Sequence, residues 1–165
     1  MIKNATPAVH RALPNDVVRL RRLAQEFYDA DSWQYSPCSA FGFDAWLDFW
    51  TDGIQRGIGV ILYCTDTGLS DGEPVGFIAG ILSNNPMDGA LDLTECLWFV
   101  RTDTGGPPCG MSLLSGFEGV GEESGAARVN MSHLANNTGV RLARIFSRWG
   151  YAPVEVAYSK RIGGD

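Results

Sequence analysis

The sequence predicts a single mixed α/β domain organised around a sheet. Three observations carry this. Strand-like apolar runs follow one another between residues 59 and 100, with turn chemistry between them. Two segments with helical spacing precede these runs, and helical and strand-like segments alternate after them. At 165 residues the chain fits one domain, 1–165, long enough to bury a substantial core, and no linker, repeat or low-complexity tract divides it.

Taken in order, AVHRAL (8–13) alternates and reads as a short first strand. Pro14 and Asn15-Asp16 stop it and open a helix with Asp16 as the expected N-cap. Val17, Leu20, Leu23, Ala24 and Phe27 recur at helical spacing, and Arg19, Arg21 and Arg22 between them read as a solvated face. Residues 29–42 mix turn formers with aromatics and read as a loop. FDAWLDFWTDGIQR then places Phe43, Trp46, Leu47 and Trp50 on one helical stripe. Packing against a core explains that stripe. Together with Trp33, Tyr35 and Phe41 in the loop, it could instead wall a pocket.

GVILYCTDTG, EPVGFIAGILS and ALDLTECLWFV form a meander, broken by turns at Gly68–Gly72 and NNPMDG. A helix over CGMSLLSGFEGVGEESG follows, with Met111, Leu114, Phe117 and Val120 at helical spacing and three glycines, Gly116, Gly119 and Gly121, weakening it. AARVNMSHL reads as a strand. ANNTGVRLARIFSRWG reads as a helix capped by Asn136 or Asn137, with Val140, Ala143, Ile145, Phe146 and Trp149 inward and Gly150 at its C-terminus. YAPVEVAYSKRI closes the chain as a strand. The order is βααβββαβαβ.

Composition bounds the function. The chain is 45% hydrophobic and 19% charged, ordinary for a soluble globular protein, and no apolar run is long enough to span a bilayer. The N-terminal stretch carries no secretory signal pattern, so a reducing cytosol is the expected setting. The four cysteines, Cys38, Cys64, Cys96 and Cys109, form no CxxC pair, and with two histidines they give no metal site. Cys64 and Cys96 are expected to be small core residues. A net charge of −6 disfavours bulk nucleic-acid binding and suits cations or amines.

Three segments then carry a family resemblance: Glu95-x-x-Trp98-Phe99-Val100 leading to Gly106 and Gly110; Gly125-Ala126 before AARVNMSHL; and RLARIFSRWGYAPVEVAYSKRI. Together with the element order, they resemble the GNAT superfamily of acyl-CoA-dependent N-acyltransferases along nearly the whole chain. The Glu-x-x-Trp-Phe-Val and Met-Ser-His-Leu segments look like a branch common in phage and prophage genomes. The resemblance implies a central mixed, mostly antiparallel sheet flanked by helices, with two strands splayed to receive acyl-CoA. It implies acetyl-CoA as donor, CoA as product, and an amine-bearing acceptor that is a small molecule or a macromolecule. It also implies a homodimer, for which the last strand offers an edge.

By position, the resemblance assigns the backbone of Trp98, Phe99 and Val100 to the pantetheine. It assigns the loop Gly105 to Gly110 to the pyrophosphate, with amides from Gly106, Cys109, Gly110 and Met111 and the hydroxyl of Ser112. Gly105 stands where the family has Arg or Gln. Pro108 stands where it has glycine, and Pro107 and Pro108 bring no N–H. Phe146 stands where many members place a tyrosine that protonates the leaving thiolate. Asn137 touches cofactor or simply caps its helix.

Glu95 is the leading candidate for catalysis. Leu93, Glu95, Leu97 and Phe99 are expected on one strand face, so a carboxylate there interrupts an apolar row. It is either the base that deprotonates the attacking amine, directly or through water, or a structural partner for an arginine. Asp92 falls on the other face and is expected to be solvated. His133 is a base, a proton relay, a substrate contact or a structural residue. Cys109 sits where a helix N-terminus would lower its pKa, but its place in the loop argues against a nucleophile. The rival to an enzyme is a GNAT-fold protein that binds a partner or CoA without turnover.

Overall fold

A computed structural model of the chain describes residues 7–30, 42–67, 69–104, 106–133 and 137–155. Strand β1 (Val9–Arg11) leads into a 3-10 helix (Pro14–Leu20), then α1 (Arg21–Asp29) and α2 (Phe43–Gln55). The meander β2 (Gly59–Thr65), β3 (Pro74–Asn84) and β4 (Leu91–Val100) follows, and then α3 (Gly106–Glu123), β5 (Arg128–Asn130) and α4 (Asn137–Arg148). The sheet order is β1-β2-β3-β4-β5, antiparallel except for the parallel pair β4 and β5. This is the mixed, mostly antiparallel sheet with flanking helices that the sequence predicts.

The sheet is covered on both faces, which is why β2 is buried at every position. Val60, Leu62, Cys64 and Ile78 point to α3, where Leu113 and Phe117 complete one core cluster. Ile61, Tyr63, Phe77 and Ala79 point the other way, onto Val17, Leu20, Leu23 and Trp50. The strict alternation between the two clusters is the period-2 geometry of a strand expressed as packing.

Several expectations are corrected. The first helical segment opens as 3-10, with Leu13 at the N-cap. Asp16 lies inside it and accepts the Leu13 N–H at 2.9 Å instead of capping it. Arg19 is not a solvated residue: it donates to the Ser70 and Gly72 carbonyls at 2.6 and 2.8 Å and ties down the β2–β3 turn. On α4, Val140 and Ala143 face solvent, and Trp149 is exposed too. Phe146 supplies the buried contact. Cys96 is exposed, whereas Cys64 is fully buried. The aromatics Trp33, Tyr35 and Phe41 lie outside the described residues. Residues 151–155 adopt no regular structure, and the rest of the expected closing strand lies outside the described residues.

The pairing of β3 with β4 is irregular at its centre. Ala79 pairs with Leu97 but Gly80 pairs with Glu95, so Cys96 is an extra residue in β4. This bulge overturns the expected common face of Leu93, Glu95, Leu97 and Phe99. Leu93 lies in the α3 cluster, yet Leu97 and Phe99 pack on the α1–α2 side, and Trp98 and Val100 take the α3 side. Gly80, opposite Glu95, has to be small: a Cβ there would stand 2.5 Å from both Phe117 Cζ and the Thr94 carbonyl.

Candidate active site

β5 is far shorter than AARVNMSHL. It pairs with β4 only through Asp92–Arg128, Leu93–Val129 and Thr94–Asn130, and then the two strands part. From Glu95 to Val100, β4 has no strand partner on its β5 side among the described residues. Its backbone N–H and C=O groups on that edge are available to an extended ligand, as at any open strand edge.

The root of the divergence is held by a polar clasp. Arg128 donates from Nε to Asp92 at 2.7 Å and through both terminal nitrogens to Asp88, at 2.7 and 3.0 Å. Asn85 and Asn130 also donate to Asp92. Asp92 is only 5% exposed, which corrects the expectation of a solvated side chain. The Asn85 amide and the Arg128 guanidinium hold its pKa below the usual carboxylate value.

Glu95 stands just past the clasp, where the strands separate. It is 7% exposed and pairs with no arginine; its Oε2 accepts from the Ser132 N–H at 3.1 Å and the Ser132 hydroxyl at 2.9 Å. Burial raises its pKa, and the two Ser132 bonds oppose that only in part. A carboxyl with a raised pKa, held at a strand opening by neutral donors, is equipped to take a proton near neutrality. Ser132 escaped the sequence reading because its role exists only once β5 has bent away from β4.

His133, next in the chain, is exposed and lies against Phe146, with ring centroids 6.3 Å apart. It lines a shallow cavity of about 550 Å³ with Val140, Ala143, Arg144, Ser147 and Arg148. Trp98 stacks on Phe146 across the opening, at 6.1 Å and 27°, and Tyr151 packs against Phe146 at 5.6 Å. An aromatic cluster therefore lies between the free part of β4 and α4. The Trp98 indole N–H is buried with no hydrogen-bond partner among the described residues.

The loop after β4 is firmly placed. Arg101 clamps Glu26 of α1 with two bonds of 2.6 Å, and its own N–H returns to Val75. The Arg101 guanidinium lowers the Glu26 pKa. Helix α3 begins earlier than the sequence reading placed it, at Gly106, whose φ of +58° suits a residue without a side chain. The Gly106 N–H is already given to the Arg101 carbonyl at 2.9 Å. With Pro107 and Pro108 next, none of the first three N–H positions of the helix is free for an anion. This corrects Gly106 as an amide donor.

Cys109 is buried, with its side chain on Cys64 and Gly76, and the neighbouring Cys64 thiol and burial push its own thiol up. The expected lowering by the helix terminus does not occur. Gly110, Met111 and Ser112 continue the first turns of α3. Gly105 lies outside the described residues, and Asn137 is the first residue of α4.

No protein-family model matches the sequence, and no curated protein does. Solved structures do match. An aminoglycoside acetyltransferase from an uncultured soil metagenomic sample shares 16% identity over 96% of this chain and 100% of its own, with a TM-score of 0.72. AAC(6')-Iy, in complex with the bisubstrate analogue CoA-S-monomethyl-acetylneamine, shares 14% identity over 96% and 100%, with a TM-score of 0.71. A transcriptional regulator from Bacillus halodurans C-125 shares 9% identity over 94% and 99%, with a TM-score of 0.73. The chain has the fold of the GNAT acetyltransferases. One fold spanning an acetyltransferase and a regulator leaves function to be argued from the site.

Proposed function

We propose that this protein is an acyl-CoA-dependent N-acyltransferase that moves an acetyl group from acetyl-CoA to a primary amine, by direct attack within a ternary complex. The observation that carries this reading is Glu95, buried, with its pKa raised, and bonded only to Ser132 at the point where β4 leaves β5. The backbone of Trp98, Phe99 and Val100 would pair with the pantetheine along the open edge of β4. Strand amides would polarise the thioester carbonyl. Glu95, directly or through one water, would take the proton that the amine sheds as its nitrogen–carbon bond forms. His133 would contact the acceptor or relay that proton onward.

The pyrophosphate would rest on the later amides of the α3 start, Cys109, Gly110 and Met111, with the Ser112 hydroxyl; Gly105 and Asn137 complete the proposed cofactor set. The acceptor is an amine-bearing small molecule or macromolecule, and the acetyltransferase neighbours lend support to the former. A cytoplasmic setting, a single domain over 1–165, homodimerisation and the phage-like affiliation belong to the same reading.

A second reading, binding without turnover, is favoured by two observations: the Trp98–Phe146 stack across the opening, and the missing donors at the start of α3. Calorimetric titration of acetyl-CoA, followed by an amine panel assayed for thiol release, separates the two. Micromolar binding with amine-dependent thiol release is the expected outcome. Binding without release from any amine would favour the second reading, and no binding by folded, CoA-free protein would refute both uses of the cleft.

A further inference from the structure

Trp98 is not the only orphan in the aromatic cluster. The hydroxyl of Tyr151 is also buried, and no acceptor among the described residues reaches it in hydrogen-bonding geometry. Both rings pack on Phe146, so two unanswered donors flank a residue that has nothing to donate. Native folds seldom bury a donor without an acceptor. An acceptor that arrives with a ligand resolves both cases at once.

Tyr151 is also at the right height. Glu118 of α3 stands beside its hydroxyl, with one carboxylate oxygen taken by Trp149 Nε1 at 2.8 Å. Glu118 follows Phe117, whose ring lies where a Cβ on Gly80 would be, and Gly80 is the register partner of Glu95. The hydroxyl therefore sits level with Glu95 along the sheet, on the α3 side that Glu95 shares.

We propose that Tyr151 is a catalytic residue of the acyl transfer, its hydroxyl donating a hydrogen bond to the thioester sulfur as the carbon–sulfur bond breaks. The inference rests on the acyltransferase reading and extends it. The amine nitrogen has bonded to the carbonyl carbon, and its proton has passed to Glu95. As the tetrahedral intermediate collapses, the carbon–oxygen double bond reforms and the carbon–sulfur electron pair leaves with the sulfur. Tyr151 stabilises that growing charge. Burial and the Glu118 carboxylate raise the Tyr151 pKa well above that of a thiol, so the phenol keeps its proton and the departing thiolate takes one from water.

The test is Tyr151→Phe, assayed with two donors: acetyl-CoA, and an acetyl thioester of a thiophenol, whose more acidic thiol needs less help to leave. The expected result is a loss of about 10²-fold in kcat with acetyl-CoA, KM unchanged, a loss of only about 3-fold with the aryl thioester, and an unchanged or higher Tm. Full turnover of the variant with acetyl-CoA would overturn the proposal, as would equal losses with both donors or a lowered Tm, either of which marks a structural hydroxyl. Wild-type protein inactive with every amine would remove the acyltransferase reading and this inference with it. An active wild type with an unaffected variant would remove this inference alone.

Discussion

Replacing Glu95 with Gln tests the assignment of the base with two independent readouts. Gln keeps the shape and can still accept from the Ser132 hydroxyl and N–H, so the opening between β4 and β5 is preserved while the proton acceptor is lost. General-base catalysis contributes about 10²–10⁴-fold, so the variant should lose about 3–5 kcal/mol of transition-state stabilisation. Affinity for acetyl-CoA should hardly change. The wild-type rate should rise with pH on a limb whose midpoint lies above the ordinary glutamate value of about 4.3, because burial raises the Glu95 pKa. The variant should lack that limb and keep only the one that reports the amine's own deprotonation.

Stability gives the second readout, of opposite sign to the activity. A carboxyl whose folded pKa is raised favours folding fully below its unfolded pKa, and loses that contribution as pH rises through the folded value. Gln does not titrate. Glu95→Gln should therefore gain stability relative to wild type as pH rises from 5 to 8, measured by thermal melts across that range. A variant within about 3-fold of wild-type turnover from pH 5 to 9 would refute the base, whatever its melting behaviour.

Three further outcomes are expected. With the first three N–H positions of α3 spent, removing the nucleotide should matter little: acetyl-pantetheine should bind within about 10-fold of acetyl-CoA, and a calorimetric gap of about 10³-fold would show an intact phosphate cradle. Gly80→Ala should destabilise by about 1–3 kcal/mol in denaturant melts, because its Cβ meets Phe117 and the Thr94 carbonyl; trimming Phe117 to Leu should recover only part, since the carbonyl stays. Glu26→Gln should cost about 1 kcal/mol at pH 7, after allowance for the partial exposure of the pair with Arg101. The lowered Glu26 pKa means that this difference, followed by melts, should be intact above the ordinary glutamate range and vanish as pH falls through the folded value.

The element order could be read from the sequence up to α4 because each segment's burial is a matter of local period. β2, β3 and α3 carry their apolar residues where the packed core needs them. What escaped depends on partners distant in the chain. Asp92 was assigned to solvent by alternation, which cannot register that Arg128 and Asn130 will fold back to satisfy it. Val140 and Ala143 share helical spacing with Phe146, but only the position of Trp98 decides which side of α4 turns inward. Glu95 was found because a carboxylate in an apolar run is conspicuous in any register. Ser132, Tyr151 and the committed N–H of Gly106 were not found, since a hydrogen bond made or missing leaves no trace in composition.

The extra residue in β4 works like a shift of reading frame. Upstream of Cys96, odd-numbered side chains go to the α3 face; downstream, even-numbered ones do, so Leu93 and Trp98 meet the same helix five positions apart. Cys96 itself is exposed. What the fold needs from position 96 is occupancy, and many side chains could stand there. Deleting it would exchange Leu97 and Phe99 for Trp98 and Val100 between the two faces of the sheet, emptying one core and overfilling the other. The least conspicuous residue of the strand thus decides which face each of the last four presents.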